Sequence, residues 1–269
     1  MKIGNLDFDT NQTYVMGILN VTPNSFSDGG KWNTVDKALA HTEQMIKEGA
    51  AVIDVGGEST RPGYTKISDD EEIERVVPVI EAIRERFAVP LSVDTYKSAV
   101  AEAAINAGAD LVNDVWGLKY DKDMAAVIAR YGVSCCLMHN KATSTYHSFL
   151  DDMIRETLEC ADIALNAGIA KDKIILDPGV CFGKTYEMNL LVLKHLDRFC
   201  SVEYPVLLGC SRKSVIGNTL DLPTDERLEG TLVTTVLAVL NRCMFVRVHD
   251  VKENIRTIKM TEAILRSES

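Results

Sequence analysis

The chain has 269 residues, 46% hydrophobic and 25% charged, a balance that buries a large core without help from disulfides or metals. Its net charge of −10 argues against a nucleic-acid scaffold, which needs a basic face, but leaves room for a small anionic ligand at a local cluster of cations. The opening MKIGNLDFDT has no apolar targeting core, no run reaches membrane-spanning length, and seven scattered cysteines without a CxxC pair read as reduced thiols, so a cytoplasmic protein with no membrane contact is expected.

In chain order, Met1 to Gln12 are too short for a full unit and predict a small β-hairpin. Eight apolar, β-branched runs follow: TYVMGILNV, AAVIDVGG, VPLSVDT, ADLVNDVWG, VSCCLMH, KIILDPG, YPVLLGCS and CMFVRVHD. Between them lie stretches of helical period with one charged face, such as NTVDKALAHTEQMIKEG and DDEEIERVVPVIEAIRERF. The second of these begins with acids near Asp69 and ends with Arg84 and Arg86, as the helix dipole favours. Continuous apolar strands alternating with amphipathic helices imply parallel strands covered by helices, and eight units predict a single-domain (β/α)8 TIM barrel with the hairpin at its floor. An open doubly wound sheet is the alternative.

Each run closes on polar residues: Asn20; Glu58 to Arg61; Asp94; Asn113 and Asp114; His139 and Asn140; Asp177; Ser211 to Lys213; and Arg247 with His249. These are carboxyl ends of strands, where barrel enzymes carry their sites. Arg61, Lys184, Arg212, Lys213 and Arg247 concentrate there in an acidic protein, which points to phosphate or another anion.

Taken singly, Asp94 reads equally well as a helix cap, and Asp177 as a turn residue before Pro178. Together with Asn113 they form an acceptor set suited to a flat heterocycle bearing amino and ring N–H groups. The spacing of Arg247 and His249 puts both on one strand face, and an unpaired arginine inside a barrel requires a bound anion. With no HExxH, CxxC or cluster of three ligands, a tightly held transition metal is not expected, whereas Mg²⁺ bridged through a ligand phosphate and one oxygen ligand fits. G-x-S-x-G and GxGxxG are absent, which removes covalent acyl chemistry and dinucleotide binding.

The ordered motifs MGILNVTPNSFSDGG, DVGGESTRPG, SVDT, NDVWGL, LDPGVCFGKT, CSRKSVIG and RVHDV span nearly the whole chain and resemble the dihydropteroate synthase family of folate biosynthesis. The resemblance implies a transferase that joins 6-hydroxymethyl-7,8-dihydropterin diphosphate to 4-aminobenzoate, releasing pyrophosphate. It implies that Asp94, Asn113, Asp177 and Lys213 hold the pterin, with Met138 against the ring. Asn20, Arg247 and His249, with Thr60 and Arg61 of the second loop, would hold the diphosphate, and Asn20 would also touch Mg²⁺. Phe182, Lys213 and Ser214, with Pro62 beside Thr60 and Arg61, would border 4-aminobenzoate. Asp177, Lys213 and Arg247 would carry the chemistry, and Ser25 to Asp28 would close over it. The family also implies a homodimer and inhibition by sulfonamides. Pterin and diphosphate halves are expected to separate by mutation of Asp177 and Arg247.

Three positions depart from the family pattern: Asn24 in place of Asp, Cys181 in place of Gly, and Arg242–Cys243 in place of Gly-Ala. The rivals are a pterin methyltransferase, a non-catalytic pterin-binding paralogue, and a phosphate-handling isomerase or aldolase with Glu58 as its base.

Overall fold

The computed structural model describes residues 1–22, 31–58 and 65–267. A hairpin of β1 (Lys2–Ile3) and β2 (Leu6–Asp7) precedes eight parallel strands: β3 (Tyr14–Asn20), β4 (Val52–Gly56), β5 (Leu91–Asp94), β6 (Leu111–Asp114), β7 (Ser134–Met138), β8 (Ile174–Asp177), β9 (Leu207–Leu208) and β10 (Phe245–Val248). Their order around the sheet is β8-β7-β6-β5-β4-β3-β10-β9. The sheet closes where Leu176 of β8 bridges Val206 beside β9, with the Leu176 N–H donating to Pro205 O at 2.9 Å. Closure makes it the expected barrel and removes the open-sheet alternative.

Ten helices surround the barrel among the described residues. They are α1 (Lys31–Glu48), α2 (Asp69–Arg86), α3 (Ser98–Ala107), α4 (Met124–Tyr131), α5 (Phe149–Asn166), α6 (Tyr186–Lys194), α7 (Leu196–Cys200), α8 (Ser214–Leu220), α9 (Leu228–Leu240) and α10 (Val251–Arg266). Helix α2 shows why the charge pattern was readable. Ser68 caps it, its Oγ accepting from Glu71 N–H, four acids fill the first turn, and Arg84 and Arg86 occupy the last.

The period of two along each strand divides the core. Val15, Ile53, Val93, Val112, Leu176 and Val246 face the helices, whereas Met16, Val52, Leu111, Ile175, Leu207 and Phe245 fill the barrel's interior at its amino-terminal end. The hairpin seals that end, inserting Ile3 and Phe8 into the same apolar cluster. The strands' carboxyl ends therefore form the open mouth.

Two departures from the family pattern leave a mark on the backbone. Arg242 lies at φ +59° just past α9, its N–H donating to Val239 O while Cys243 N–H donates to Ala238 O. This is the helix ending that glycine supplies without a Cβ penalty. Cys181 lies at φ +69°, also in the left-handed region. None of the seven cysteines is bridged; five are buried, and Cys181 and Cys200 are half-buried.

Candidate active site

A cavity of about 530 Å³ opens at the carboxyl ends of the strands. Asn20, Asp94, Asn113, Met138, Asp177, Phe182, Lys213, Ser214, Arg247 and His249 all line it, so every expected site residue that is described meets at one place. Thr60, Arg61 and Pro62, like Asn24 and Ser25 to Asp28, lie outside the described residues. The strand period explains the convergence. The interior positions two residues past the apolar floor are Asp54, Asn113, Met138, Asp177 and Arg247, on five different strands.

Arg247 corrects one expectation. It is not unpaired: its Nε donates to Asp54 Oδ2 at 2.5 Å and its Nη2 to Asp94 Oδ2 at 2.6 Å. The Arg247 charge is thus answered by the protein itself, and the residue assigned to the diphosphate is tied directly to one assigned to the pterin. Burial works against the Arg247 charge, but the two carboxylates outweigh it and raise its pKa. One guanidinium between two buried carboxylates leaves a net negative charge. Burial accordingly pushes Asp94 up to about 7, the attraction of Arg247 being offset in part by Asp54. Asp94 caps no helix: α3 starts four residues later with Lys97 at its cap position.

Asp54 is the residue that motif reading passed over. It is fully buried, and its Oδ2 also accepts from Asn113 Nδ2 at 3.1 Å. Its signal in the sequence was an acid at the centre of the apolar run AAVIDVGG.

Asp177 combines its two readings. Its Oδ1 accepts from Gly179 N–H at 2.7 Å, a turn-forming bond. Its Oδ2 faces the mouth: a Cβ on Gly209 would stand 3.5 Å from that oxygen and 3.8 Å from Lys213 Nζ. Burial raises the Asp177 pKa, and the Lys213 ammonium pulls against that rise. Lys213 Nζ donates to Val180 O at 2.8 Å and sits 4.8 Å from the Phe182 ring centroid. The loop carrying these groups needs Gly179, since a Cβ there would lie 1.9 Å from His139 O. Ser214 Oγ donates to Cys181 Sγ at 3.4 Å, which places the Gly-to-Cys departure on the cavity wall.

The expected cationic rim is largely neutralised from within. Arg212 grips Asp250 through both carboxylate oxygens. Lys184 donates to His139 Nδ1, Gly179 O and Phe182 O at 2.8–3.0 Å, and burial brings its pKa down to about 7. His139 in turn is held by Glu156 at 3.1 Å through Nε2, and burial lowers its pKa to about 4. Lys184 and His139 therefore buttress the loop around Phe182 rather than face a ligand. Ser211 Oγ stands 3.0 Å from His249 Nδ1 and fixes that ring at the mouth.

Glu58 is engaged as well. It accepts from Tyr96 OH at 2.5 Å, from Ile67 N–H at 2.9 Å and from Lys97 Nζ at 2.9 Å, and Lys97 also holds Glu72 at 2.7 Å. Burial would raise the Glu58 pKa, but these donors hold it below the ordinary carboxylate value. A carboxylate so committed is a poor general base, which removes the observation that an isomerase or aldolase would need.

No group of three or more His, Cys, Asp or Glu that could hold a metal occurs among the described residues. Asn20 offers one neutral amide at the cavity wall, and a Cβ on Gly56 would lie 3.5 Å from its Oδ1. A single protein oxygen fits Mg²⁺, which keeps waters and substrate phosphate oxygens as its remaining ligands.

The sequence model of the pterin binding enzymes matches residues 16–249, from within the first barrel strand to just past the last. The chain belongs to the pterin binding enzyme family. Relatives that are 46–56% identical over nearly the whole of this chain are dihydropteroate synthases. One from Clostridium beijerinckii is 56% identical over 268 residues, covering 99% of this chain and 100% of the relative. Among solved structures, a dihydropteroate synthase from Clostridium difficile, determined in the presence of pteroic acid, superposes with a TM-score of 0.94 at 48% identity, covering 97% of this chain and 100% of the other. A Yersinia pestis dihydropteroate synthase in complex with a sulfonamide drug gives 0.93 at 41% identity over 99% of both chains. Pterin binding enzymes thus supply a ligand chemistry that the acceptor-rich mouth already called for.

Proposed function

We propose that the chain is a dihydropteroate synthase, which condenses 6-hydroxymethyl-7,8-dihydropterin diphosphate with 4-aminobenzoate to give 7,8-dihydropteroate and pyrophosphate. The observation that carries this reading is the meeting of Asp94, Asn113 and Asp177 with Lys213 and Arg247 on one cavity wall. Three buried acceptors suit the amino and N–H edge of a pterin, and two cations suit the anion attached to it.

In this reading Asp94, Asn113 and Asp177 accept from the pterin edge while Met138 packs on its face. Arg247 and His249, with Thr60 and Arg61, take the diphosphate. Loss of pyrophosphate leaves a cation delocalised into the pterin ring, and the ionised Asp177 stabilises it through the ring N–H it accepts. Mg²⁺, held on the protein side by Asn20, would supply charge neutralisation to the leaving diphosphate when bound. Lys213 and Phe182 orient 4-aminobenzoate, together with Ser214 and Pro62. The aniline nitrogen is neutral at pH 7, so no strong base is required, in keeping with the committed Glu58. Sulfonamides, which mimic 4-aminobenzoate, compete for that part of the site.

The same reading includes a cytoplasmic homodimer. Val233 and Leu240 on α9 and Met260, Ile264 and Leu265 on α10 are each more than half exposed, and the two helices are neighbours, which makes a face suited to a second copy. The deciding experiment supplies the purified chain with both substrates and follows 7,8-dihydropteroate and pyrophosphate. Formation of both in equal amounts is expected, and release of pyrophosphate without condensation overturns the reading.

A further inference from the structure

Asp54 has no role in the chemistry above, yet it is the charge on which two halves of the cavity floor converge. One oxygen, Oδ2, accepts both Arg247 Nε at 2.5 Å and Asn113 Nδ2 at 3.1 Å. The side chain is fully buried, and its other oxygen has no hydrogen-bond partner among the described residues. It therefore touches solvent nowhere and acts only through its neighbours.

The consequence lies in Asn113. A carboxylate has no proton to give, so the amide end that meets Asp54 must be the NH₂. The carbonyl is then the end left to the cavity, which Asn113 lines. A ligand edge placed against it must bring an N–H donor. Without Asp54 the amide could turn over with almost no change of shape, and it would then present NH₂ to the same edge, donor against donor. Arg247 is oriented in the same way. With Nε on Asp54 and Nη2 on Asp94, the Nη1 end remains for the cavity it lines.

We infer that Asp54 is a positioning residue that sets the hydrogen-bonding polarity of the pocket, selecting a heterocycle with an N–H donor opposite Asn113 and joining that choice to the orientation of Arg247. The inference rests on the pterin-binding reading of the cavity. Asp54 belongs to the specificity of the site although no ligand atom meets it.

The test titrates the full-length chain with 6-hydroxymethylpterin and, separately, with inorganic pyrophosphate. Asp54→Leu, which removes the acceptor at similar size, should weaken the pterin at least about tenfold, the scale of one mispaired buried hydrogen bond, without weakening pyrophosphate comparably. Asn113→Ala should cost a similar factor. The double variant should lose little beyond the worse single one, because the first substitution already spoils the action of the second. Asp54→Asn keeps an oxygen that can accept from both Arg247 Nε and Asn113 Nδ2, so the Asn113 carbonyl still faces the cavity. It should retain most of the pterin affinity, which a residue needed only for its charge would not explain. A folded Asp54→Leu that binds pterin like the wild type, or losses that multiply in the double variant, overturns the inference. Should Asp54→Leu fail to fold, a folded Asp54→Asn that loses pterin affinity about tenfold or more overturns it equally. A wild-type chain that binds pyrophosphate but no pterin strikes the functional reading itself.

Discussion

The same strands build two opposite interiors. At the floor, Met16, Val52, Leu111, Ile175, Leu207 and Phe245 pack with Ile3 and Phe8 in a dry apolar plug. One pleat repeat further along, Ile18, Asp54, Asn113, Asp177, Gly209 and Arg247 replace them. Each floor residue adds about 1.5–3 kcal/mol by leaving water, whereas a buried charge stabilises nothing unless its partner is in place. The floor is where the barrel is held together, and the mouth is where stability has been given up for binding. Both lie inside the same closed sheet, about two residues apart.

Breaking the mouth should cost most, because its charges depend on one another. Arg247→Ala leaves Asp54 and Asp94 buried without a cation, so a loss of about 3–5 kcal/mol in denaturant unfolding is expected. Activity should fall at least about a hundredfold, and bare pterin binding should fall with it. A variant that keeps wild-type pterin affinity would restore the simple two-subsite map.

Phe245→Ala probes the floor alone. A comparable loss of about 3–5 kcal/mol is expected from the cavity left in the plug, with pterin affinity of the folded fraction unchanged. Weaker ligand binding at full folding would show that floor and mouth are not independent.

A smaller effect follows from Asp94. Its folded pKa is raised to about 7 by burial, so its contribution to folding is present at low pH and lost as pH rises through 7. Ligand binding has the opposite sign, since the ionised carboxylate is the form that accepts from a pterin N–H. Affinity for 6-hydroxymethylpterin should rise about tenfold between pH 6 and pH 8. Lys184, brought to about 7 by burial, titrates in the same window but points to His139. The dependence should therefore vanish in Asp94→Asn, and its survival there would reassign it.

The smallest effects sharpen the comparison at the backbone. Arg242 and Cys181 both hold positive φ, one at the entry to β10 on the floor side and one on the cavity wall. Replacing either by glycine should stabilise by about 0.5–1 kcal/mol, the left-handed strain less glycine's own entropy cost. Arg242→Gly should leave 4-aminobenzoate binding untouched, whereas Cys181→Gly should alter it. Equal binding in both variants would remove Cys181 from the wall in any functional sense.

Much of this was legible beforehand because strand and helix periods are local properties. The α2 boundaries followed from the acids near Asp69 and the closing Arg84 and Arg86, and the barrel followed from eight repeats of one pattern. The site residues were legible for a related reason: polar groups at the carboxyl ends of parallel strands converge once the sheet closes. What could not be read was which partner each charge would choose. Arg247 had looked like a cation waiting for an anion, and Arg212 and Lys184 like parts of a rim. Each is answered by a residue far away in sequence, namely Asp54 and Asp94, Asp250, and His139.

The amino-acid order by itself determined the alternation of elements, the hairpin plug and the family likeness, since these depend on spacing along a single segment. Tertiary structure alone decided that Asp54 underlies the site, that Glu58 is held by Tyr96 and Lys97, and that the Arg247 charge is answered from within. Such pairings depend on distances between strands that meet only when the barrel closes, and the energy of a buried charge is set by those distances.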